Sequence, residues 1–213
     1  YRADQMAKLA IDDEIEAILG DGCQCLMLQR EVPEYVNALL AAKARERGNI
    51  LVFQDIGGED RPMSASHMRN CDYLVPNESE LYRLVASLDG DDDMSVPSET
   101  DVVVLAKRLQ SRGARHVLIS QGSRGCTLVT EDGQILYQPA MSAAKVMDET
   151  GAGDCFRAAF CVAHLMGRSL QDCLKFAAAA GSLAVEVEGA VPSAPPLDAV
   201  NTRCREWHSS PDT

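Results

Sequence analysis

Strand-like and helix-like segments alternate along almost the whole of this chain, and no other feature limits its fold as strongly. Short apolar runs are typical of buried strands, and longer segments with a helical spacing of apolar residues follow them. Consecutive strands that are joined through helices run parallel, and the helices then cover both faces of the sheet. We therefore expect an α/β protein with three layers, α/β/α, around a mostly parallel central sheet.

The elements predicted from this pattern extend from residue 3 to residue 186. Strands are predicted at 25–29, 50–54, 73–75, 116–120, 126–130 and 134–138, the last two joined by a turn at Asp132-Gly133. Helices are predicted at 3–19, 33–47, 78–88, 101–112, 151–166 and 170–186. The acidic segment 89–98 has the composition of a solvated surface loop. We treat residues 1–213 as a single α/β domain.

Charge and hydropathy exclude two classes of partner. The chain has 20 Lys and Arg against 32 Asp and Glu, which gives a net charge of −12. Such a charge argues against a broad surface for nucleic acid or for an anionic membrane. No apolar run approaches the ~18 residues that a membrane span needs. Because the net charge is negative, any anionic substrate must be held by local dipoles and cations.

The cysteines and histidines show no pattern of a metal site. Cys23 and Cys25 are close in sequence, but a lone C-x-C is poor spacing for zinc. Cys155, Cys161 and Cys173 lie in apolar context and are interpreted as buried thiols. The four histidines also lack ligand spacing. Free thiols of this kind predict a reducing compartment, cytoplasmic or another intracellular one.

The segment Asp148-Glu-Thr-Gly-Ala-Gly-Asp154 stands immediately before a predicted helix and carries the strongest chemical signal. Gly151 and Gly153, on either side of Ala152, let the backbone approach a ligand closely. The first turn of a helix has free N–H groups and a partial positive charge, so these residues can form an anion hole for a phosphoryl group. The carboxylate of Asp154 would repel that group, and its presence there makes sense if it removes a proton from an attacking hydroxyl. On its own, an acidic residue there is also favoured by the helix dipole.

Two other phosphate-binding motifs do not fit this segment. A dinucleotide-binding fingerprint needs a third glycine after two intervening residues, whereas Asp-Cys-Phe follows here, and no acidic residue closes a following strand. A Walker motif needs Gly-Lys-Ser or Gly-Lys-Thr, and the chain has neither. These differences argue against a Rossmann oxidoreductase and against a P-loop protein.

The full string D-x-x-G-A-G-D-x-F, followed by small residues, resembles the C-terminal signature of the ribokinase-like carbohydrate kinases, the PfkB family. Four further segments resemble that family in order and spacing. They are Leu28–Pro33 (the strand with a sugar contact), Val75–Glu80 (the N-x-x-E motif), Ser120–Gly125 (the nucleotide segment) and Gly189–Ser193 (the tail). The resemblance extends from about residue 3 to about residue 200 and implies the ribokinase-like fold.

The resemblance implies roles in phosphoryl transfer for matching residues. Asp154 matches the catalytic base, and the anion hole falls on Gly151, Ala152 and Gly153. ATP is the implied phosphoryl donor. Its implied binding residues are Asn77, Gln121, Gly122, Ser123, Gly125 and Gly153. Without the resemblance, Gly122 and Gly125 are equally typical of a plain turn.

Sugar and metal residues are implied by the same match. The sugar contacts fall on Glu31, Asp148 and Asp154. Asn77 and Glu80 match the pair that organises Mg²⁺ through water. The residues matched to a K⁺ site are Asp148, Thr150, Val185, Glu188, Gly189 and Ser193. Apart from the resemblance, Asn77 and Glu80 have the spacing of an N-cap and its capping-box partner, and Glu31 suits a solvated position after a strand.

The implied activity is ATP-dependent phosphorylation of a primary hydroxyl on a sugar, with Mg²⁺ and K⁺ as cofactors. Glu31, the string V-P-N-E and the tail G-A-V-P-S favour D-ribose, converted to D-ribose 5-phosphate. Fructokinase, adenosine kinase and a catalytically silent nucleotide-binding fragment are the alternatives. The implied partners are a small-molecule sugar and ATP, with no nucleic acid and no membrane.

The family's N-terminal portion has no counterpart in this sequence. In the family it carries a strand with a sugar-binding Asp, a glycine-rich segment and a small β-sheet lid. This chain begins at Tyr1 in a helix-like segment. We therefore expect a domain that is incomplete at its N-terminus, with its first strands and lid missing, and a longer parent protein that is a functional kinase. Lids of this family often pair, so a homodimer is expected of the parent.

Overall fold

A computed structural model of the chain describes residues 12–58, 61–89 and 101–208. Residues 3–11 of the first predicted helix and residues 90–98 of the acidic segment lie outside the described residues. The chain forms two compact units. Unit 1 takes the residues up to Ile119 together with Leu128–Ile135, and unit 2 takes Ser120–Thr127 and the residues from Leu136 onward. The assignment of one domain to residues 1–213 stays a prediction.

Six strands form one sheet in the order β1-β2-β3-β4-β5-β6. They are β1 (Cys25–Leu28), β2 (Leu51–Asp55), β3 (Tyr73–Val75), β4 (His116–Ser120), β5 (Cys126–Val129) and β6 (Ile135–Gln138). The first four strands pair in parallel, for example Cys25 with Leu51 and Tyr73 with His116. The predicted α/β fold with a mostly parallel sheet is confirmed. Predicted and observed strand ends differ by no more than one residue.

Eight helices of four residues or more lie in the described part of the chain. They are α1 (Asp12–Leu19), α2 (Glu34–Arg47), α3 (Ala65–Asn70), α4 (Glu78–Asp89), α5 (Val102–Ser111), α6 (Ala152–Leu165), α7 (Leu170–Ala184) and α8 (Leu197–His208). A short 3₁₀ turn spans Gly122–Arg124. The helices α3 and α8 were not predicted from the sequence, and α7 ends two residues earlier than expected. None of the described helices is long and apolar enough to cross a membrane.

The core of unit 1 lies around the parallel strands and the helices between them. In β2, Val52, Phe53 and Gln54 are all buried, as expected for a strand inside a parallel sheet that is covered on both faces. The rings of Phe53 and Tyr73 stack with their centroids 4.6 Å apart. Parallel pairing places the carboxyl ends of β1, β2 and β3 at one edge of the sheet, where polar residues follow each strand.

Small side chains allow α6 and α7 to pack closely in unit 2. Residues Ala177–Ala180 of α7 are buried. A Cβ atom added to Gly181 would lie 3.8 Å from the carbonyl oxygen of Ala152 and equally far from Cβ of Phe156. The close approach of α7 therefore supports the first turn of α6.

All eight cysteines lie within the described residues, and each is a free thiol. Burial raises the pKa of the Cys126 thiol to about 12 and that of Cys173 to about 11. Such thiols are protonated near neutral pH and behave as small apolar groups. The interpretation of Cys161 and Cys173 as buried thiols is confirmed, whereas Cys155 is only half-buried.

Candidate active site

The helix α6 begins at a corner that only glycine can occupy. Gly151 has φ = +81°, in the left-handed region that side chains rarely adopt. A Cβ atom there would lie 3.0 Å from Cα and 3.2 Å from Cβ of Ala190. Two independent constraints, the dihedral angle and the close neighbour, therefore require the glycine that the sequence motif contains.

The first turn of α6 has amide groups that precede its first helical hydrogen bond. Gly151 is the N-cap residue and provides no side-chain cap. The amide of Cys155 donates to the carbonyl of Gly151 over 2.9 Å and closes the first turn. The amides of Gly153 and Asp154 come before that bond, so no carbonyl within the helix can accept from them. The amide of Ala152 donates to the carbonyl three residues earlier, over 3.1 Å.

The carboxylate of Asp154 lies at the surface, beside a cation. Its side chain is 76% exposed, and its Oδ1 lies 2.5 Å from Nη2 of Arg157. The guanidinium of Arg157 also lies near Gly153, because a Cβ added to Gly153 would be 3.6 Å from Nη1. Sequence reasoning missed Arg157, although an acid and a base three residues apart on a helix are a readable signal.

Asp148 joins the start of α6 to the loop that follows α7. Its Oδ1 accepts a hydrogen bond from the Thr150 amide over 2.9 Å, and its Oδ2 accepts one from the Gly189 amide over 2.8 Å. Hydrogen bonds from the Thr150 side chain, the Thr150 amide and the Gly189 amide hold the pKa of Asp148 below its ordinary value. The carboxylate is therefore ionised near neutral pH and fixes two backbone segments at once.

The loop 185–193 brings together most of the residues matched to a K⁺ site. The Val185 carbonyl accepts from the amides of Met147 (2.7 Å) and Asp148 (3.3 Å). The Ser193 hydroxyl donates to the Ala190 carbonyl over 2.8 Å, and the Ser193 amide donates to the Gly189 carbonyl over 3.2 Å. Glu188 is exposed. The oxygens of Val185 and Gly189 thus accept amide hydrogens here, and the K⁺ ligand set stays a prediction.

The segment Gln121–Gly125 forms a tight turn at the end of β4. The amide of Gln121 donates to the Gly125 carbonyl over 2.8 Å, and the amide of Gly125 donates to the Gly122 carbonyl over 3.0 Å. Gly125 has φ = +101°, and a Cβ there would lie 2.1 Å from the Gln138 carbonyl oxygen. Gly122 is exposed and has no atom within 4 Å of such a Cβ position. The turn is rigid at Gly125 and open at Gly122 and Ser123, where a nucleotide is predicted to bind.

In unit 1, Asn77 and Glu80 cap the start of α4. The Asn77 side-chain oxygen accepts from the amide of Glu80 (2.9 Å) and from the Ser79 hydroxyl (2.9 Å). In return, Oε2 of Glu80 accepts from the Asn77 amide over 2.7 Å. This reciprocal pair is a capping box. It explains both residues structurally and leaves their predicted role near Mg²⁺ untested.

The turn Asp55–Gly58, after β2, lies between two predicted site residues of unit 1. A Cβ added to Gly57 would be 3.1 Å from Oε1 of Glu80 and 3.5 Å from Oδ1 of Asp55. A Cβ added to Gly58 would be 3.4 Å from the carboxyl carbon of Glu31. The glycines therefore leave space for carboxylates that follow three neighbouring strands. Sequence reasoning missed Asp55, whose signal was its position at the carboxyl end of a strand.

Arg61 holds the backbone on both sides of Glu31. Its Nη2 donates to the carbonyls of Arg30 (3.1 Å) and Val32 (2.7 Å), and Arg30 donates in return to the Arg61 carbonyl. Arg30 is 2% exposed. Glu34 lies near both arginines, and its pKa, which burial raises, is held below its ordinary value overall by the His67 hydrogen bond and by these charges. The hydrogen bonds of Arg61 therefore fix the backbone of the loop that carries Glu31.

Within the described residues, no group of three or more His, Cys, Asp or Glu side chains could hold a metal ion directly. That search does not test the predicted Mg²⁺ binding through water at Asn77 and Glu80, or the predicted K⁺ binding through backbone carbonyls. The donor atoms at both places are oxygens, which these two ions prefer.

Comparisons with known proteins show the family of this chain. The model for the pfkB family of carbohydrate kinases matches residues 11–197. The ribokinase of Arabidopsis thaliana is 39% identical over 186 residues, which are 86% of this chain and 46% of that protein. The ribokinase of Schizosaccharomyces pombe is 32% identical over 82% of this chain and 53% of its own length.

Solved structures resemble this fold closely. The structure of Arabidopsis thaliana ribokinase complexed with ribose and ATP superposes with a TM-score of 0.82 at 36% identity, covering 92% of this chain and 59% of that chain. Ribokinase from Thermotoga maritima has a TM-score of 0.76 at 26% identity, covering 94% and 62%. The chain therefore spans about half the length of the curated relatives that it matches.

Proposed function

Because this chain belongs to the pfkB family of carbohydrate kinases, we propose that it serves ATP-dependent phosphorylation of a sugar, with D-ribose as the acceptor and D-ribose 5-phosphate as the product. The observation that carries the proposal is the start of α6. There, a glycine corner without a side-chain cap stands next to a carboxylate that solvent can reach. The choice of ribose is supported by the relatives at 39% and 32% identity, both of which are ribokinases.

In this proposal, proton removal and charge stabilisation are performed by different groups at the start of α6. Asp154 accepts the proton of the attacking hydroxyl, so that the alcohol oxygen can attack the terminal phosphorus of ATP. The amides at Gly151 and Gly153, with that of Ala152 once it leaves the carbonyl of Glu149, stabilise the charge on the transferring phosphoryl group. Arg157 holds the Asp154 carboxylate in the free protein, and its cation lies near Gly153, where that charge develops.

Glu31 and Asp148 are each proposed to contact a sugar hydroxyl. Both oxygens of Asp148 already accept backbone amides, but each carboxylate oxygen has two lone pairs and can also accept from a sugar hydroxyl. Arg61 fixes the loop of Glu31, which limits the conformational entropy that the loop loses on binding. A fixed contact of this kind favours one arrangement of hydroxyl groups over others.

ATP and two cations complete the proposal. Gln121, Gly122, Ser123 and Gly125 line the nucleotide. Mg²⁺ keeps most of its waters and is held by Asn77 and Glu80 through them, with Asp55 beside the same gap. K⁺ binds to oxygens of Asp148, Thr150, Val185, Glu188, Gly189 and Ser193. At Val185 this requires an amide hydrogen bond to lengthen, because the carbonyl oxygen already has two donors.

Turnover assays of the full-length protein test this function. Ribose, fructose and adenosine are offered separately with ATP and Mg²⁺, in K⁺ and in Na⁺ at equal ionic strength. We expect the highest kcat/KM with ribose and faster turnover in K⁺. Equal rates in both salts would contradict the proposed K⁺ site. A preference for fructose or adenosine would identify that compound, rather than ribose, as the acceptor. No turnover with any of the three would contradict the proposed activity.

A second measurement separates catalysis from binding. Calorimetry with ATP and Mg²⁺ on the 213-residue chain reports nucleotide binding without a need for turnover. Binding that is accompanied by phosphorylation of ribose in the full-length protein supports the kinase. Binding without turnover in the full-length protein would instead support a silent nucleotide-binding protein.

A further inference from the structure

A groove with a positive lining lies within unit 2, between the start of α7 with the turn before it and the middle of α8. We call it the cationic groove. Its volume is about 350 Å³, and it is lined by Arg168, Asp172, Lys175, Asn201, Cys204 and Arg205. The three residues on the α7 side recur at helical spacing, as do the three on α8. None of them belongs to the kinase site proposed above.

Lys175 is the central residue of the cationic groove. It is 8% exposed, and no ion pair joins its ammonium to a carboxylate of a described residue. Burial lowers its pKa from the ordinary value, while Cys204 and Asp172 act in the opposite direction. The groove places this ammonium beside two guanidinium groups and only one carboxylate, so the local charge is positive. An anion in the groove would balance that charge.

The two arginines of the groove are already held in place. Nη2 of Arg168 donates to Oδ1 of Asn201 over 3.2 Å, and its guanidinium carbon lies 4.4 Å from the centre of the Phe176 ring. Nη2 of Arg205 donates to the Thr202 hydroxyl over 2.9 Å. A guanidinium has five N–H donors, so Arg168 keeps donors for a ligand beside these contacts. Prior fixation reduces the entropy that these side chains would lose on binding an anion.

The cationic groove has a positive net charge, whereas the chain as a whole has a negative one. Three cations and one carboxylate line it, in a protein with a net charge of −12. The carboxylate of Asp172 accepts from the Ser169 hydroxyl over 2.6 Å, and the amide of Asp172 donates to that hydroxyl over 3.2 Å, so Asp172 serves the start of α7. The remaining charge suits a ligand with two negative charges and several acceptor oxygens.

We propose that the cationic groove is a second binding site of this protein, separate from the kinase site, and that it takes a phosphate group. Phosphate has the double charge and the tetrahedral set of acceptors that Lys175 and two arginines can satisfy. The group is either free inorganic phosphate or the phosphate of a small monoester. The proposal does not depend on the kinase activity.

Calorimetry on the full-length protein tests the groove, with inorganic phosphate and glycerol 3-phosphate titrated separately and sulfate at equal ionic strength as the comparison. We expect Lys175→Met to weaken phosphate binding at least about tenfold, as for the loss of a hydrogen bond to a charged group. Lys107→Met removes an exposed lysine from α5 and should leave the affinity unchanged. Tighter binding of the monoester than of phosphate identifies an organic ligand, and the reverse identifies the free ion.

Two cysteines report where the phosphate binds. Cys204 lines the groove, whereas Cys155 lies in the first turn of α6. Phosphate should slow the alkylation of Cys204 by N-ethylmaleimide, as followed by mass spectrometry of each peptide, and Lys175→Met should abolish that protection. Protection of Cys155 alone would place the anion at the kinase site and overturn the proposal.

A second variant decides the matter if Lys175→Met does not fold. Arg205 is exposed, so Arg205→Gln should fold normally and should weaken phosphate binding about threefold or more. Unchanged affinity in Arg205→Gln, no binding by the unaltered protein at millimolar phosphate, or equal affinity in Lys175→Met would each overturn the proposal.

Discussion

The helices α4 and α6 differ in what accepts hydrogen bonds from the backbone amides of their first turns. The start of α4 is closed by its own side chains, since Asn77 and Glu80 accept each other's backbone amides. The start of α6 has a glycine as its N-cap and no side-chain cap. Free first-turn amides are unfavourable unless water or a ligand accepts from them. The comparison teaches that, of these two helix starts, only that of α6 leaves its first-turn amides open to a ligand, and it is there that we propose the anion hole.

Replacing Asp154 with Asn should have the largest effect on this comparison. The change keeps the shape of the side chain but removes the proton acceptor, so kcat of the full-length enzyme should fall at least ~10²-fold with ATP binding little changed. Asp198→Asn is the matched control, because it removes an acidic residue from the first turn of α8. If Asp154→Asn kept its kcat, the carboxylate would be only a favourable charge at a helix start, like that of Asp198.

Replacing Gly151 with Ala should have the next largest effect. The new Cβ meets Ala190 in a left-handed conformation, so the variant should lose about 1–3 kcal/mol of stability, and the displaced amides should lower kcat/KM about tenfold or more. Gly167→Ala has nearly the same strain, with φ = +73°, but nothing within 4 Å of its Cβ position. It should lose stability without losing activity. Equal loss of activity in the two variants would show that the α6 corner is only a structural turn.

Variants of Asn77 test whether α4 also has a chemical function. Serine is as good an N-cap as asparagine, so Asn77→Ser should unfold at nearly the same temperature, whereas Asn77→Ala should lose about 1 kcal/mol. If Asn77 organises Mg²⁺, the Mg²⁺ concentration for half-maximal rate should rise severalfold in both variants. A Mg²⁺ dependence that follows only the loss of stability would assign Asn77 to capping alone.

Replacing Arg157 with Gln should have the smallest effect. Its partner Asp154 is largely exposed, and ion pairs in such positions contribute at most about 1 kcal/mol, so kcat should change less than about fivefold. The measurement is kcat against ionic strength, because salt screens the pair only in the unaltered protein, so the two proteins should differ in their salt dependence. A loss of kcat comparable to that of Asp154→Asn would make Arg157 a direct contact of the phosphoryl group.

The features that the sequence could predict were local ones. Strand ends were predicted within one residue because apolar runs and breakers are adjacent in sequence. The segment Ala65–Asn70 was missed because a helix of six residues shows too few periods of apolar spacing, although Ser64 caps it. The helix Leu197–His208 was missed although Pro195-Pro196 stands before it. Its surface is mostly polar, so its apolar spacing is weak.

The site was predictable as motifs but not as contacts. The glycine corner and Asp154 could be read from a single segment. The clamp of Arg61 on the carbonyls of Arg30 and Val32 joins residues about thirty positions apart, and only the fold brings them together. The same holds for the bond from the Gly189 amide to Asp148, across 41 positions. Spacing rules describe neighbours along one element and carry no information on such pairs.

The double role of Asp148 makes two distant stretches of chain thermodynamically dependent on one another. Because one carboxylate secures both the Thr150 amide and the Gly189 amide, a ligand that reorders either stretch changes the free energy of the other. Linkage makes that influence mutual: if an ion near residue 189 raises the affinity for nucleotide at the helix start, nucleotide raises the affinity for the ion by the same factor.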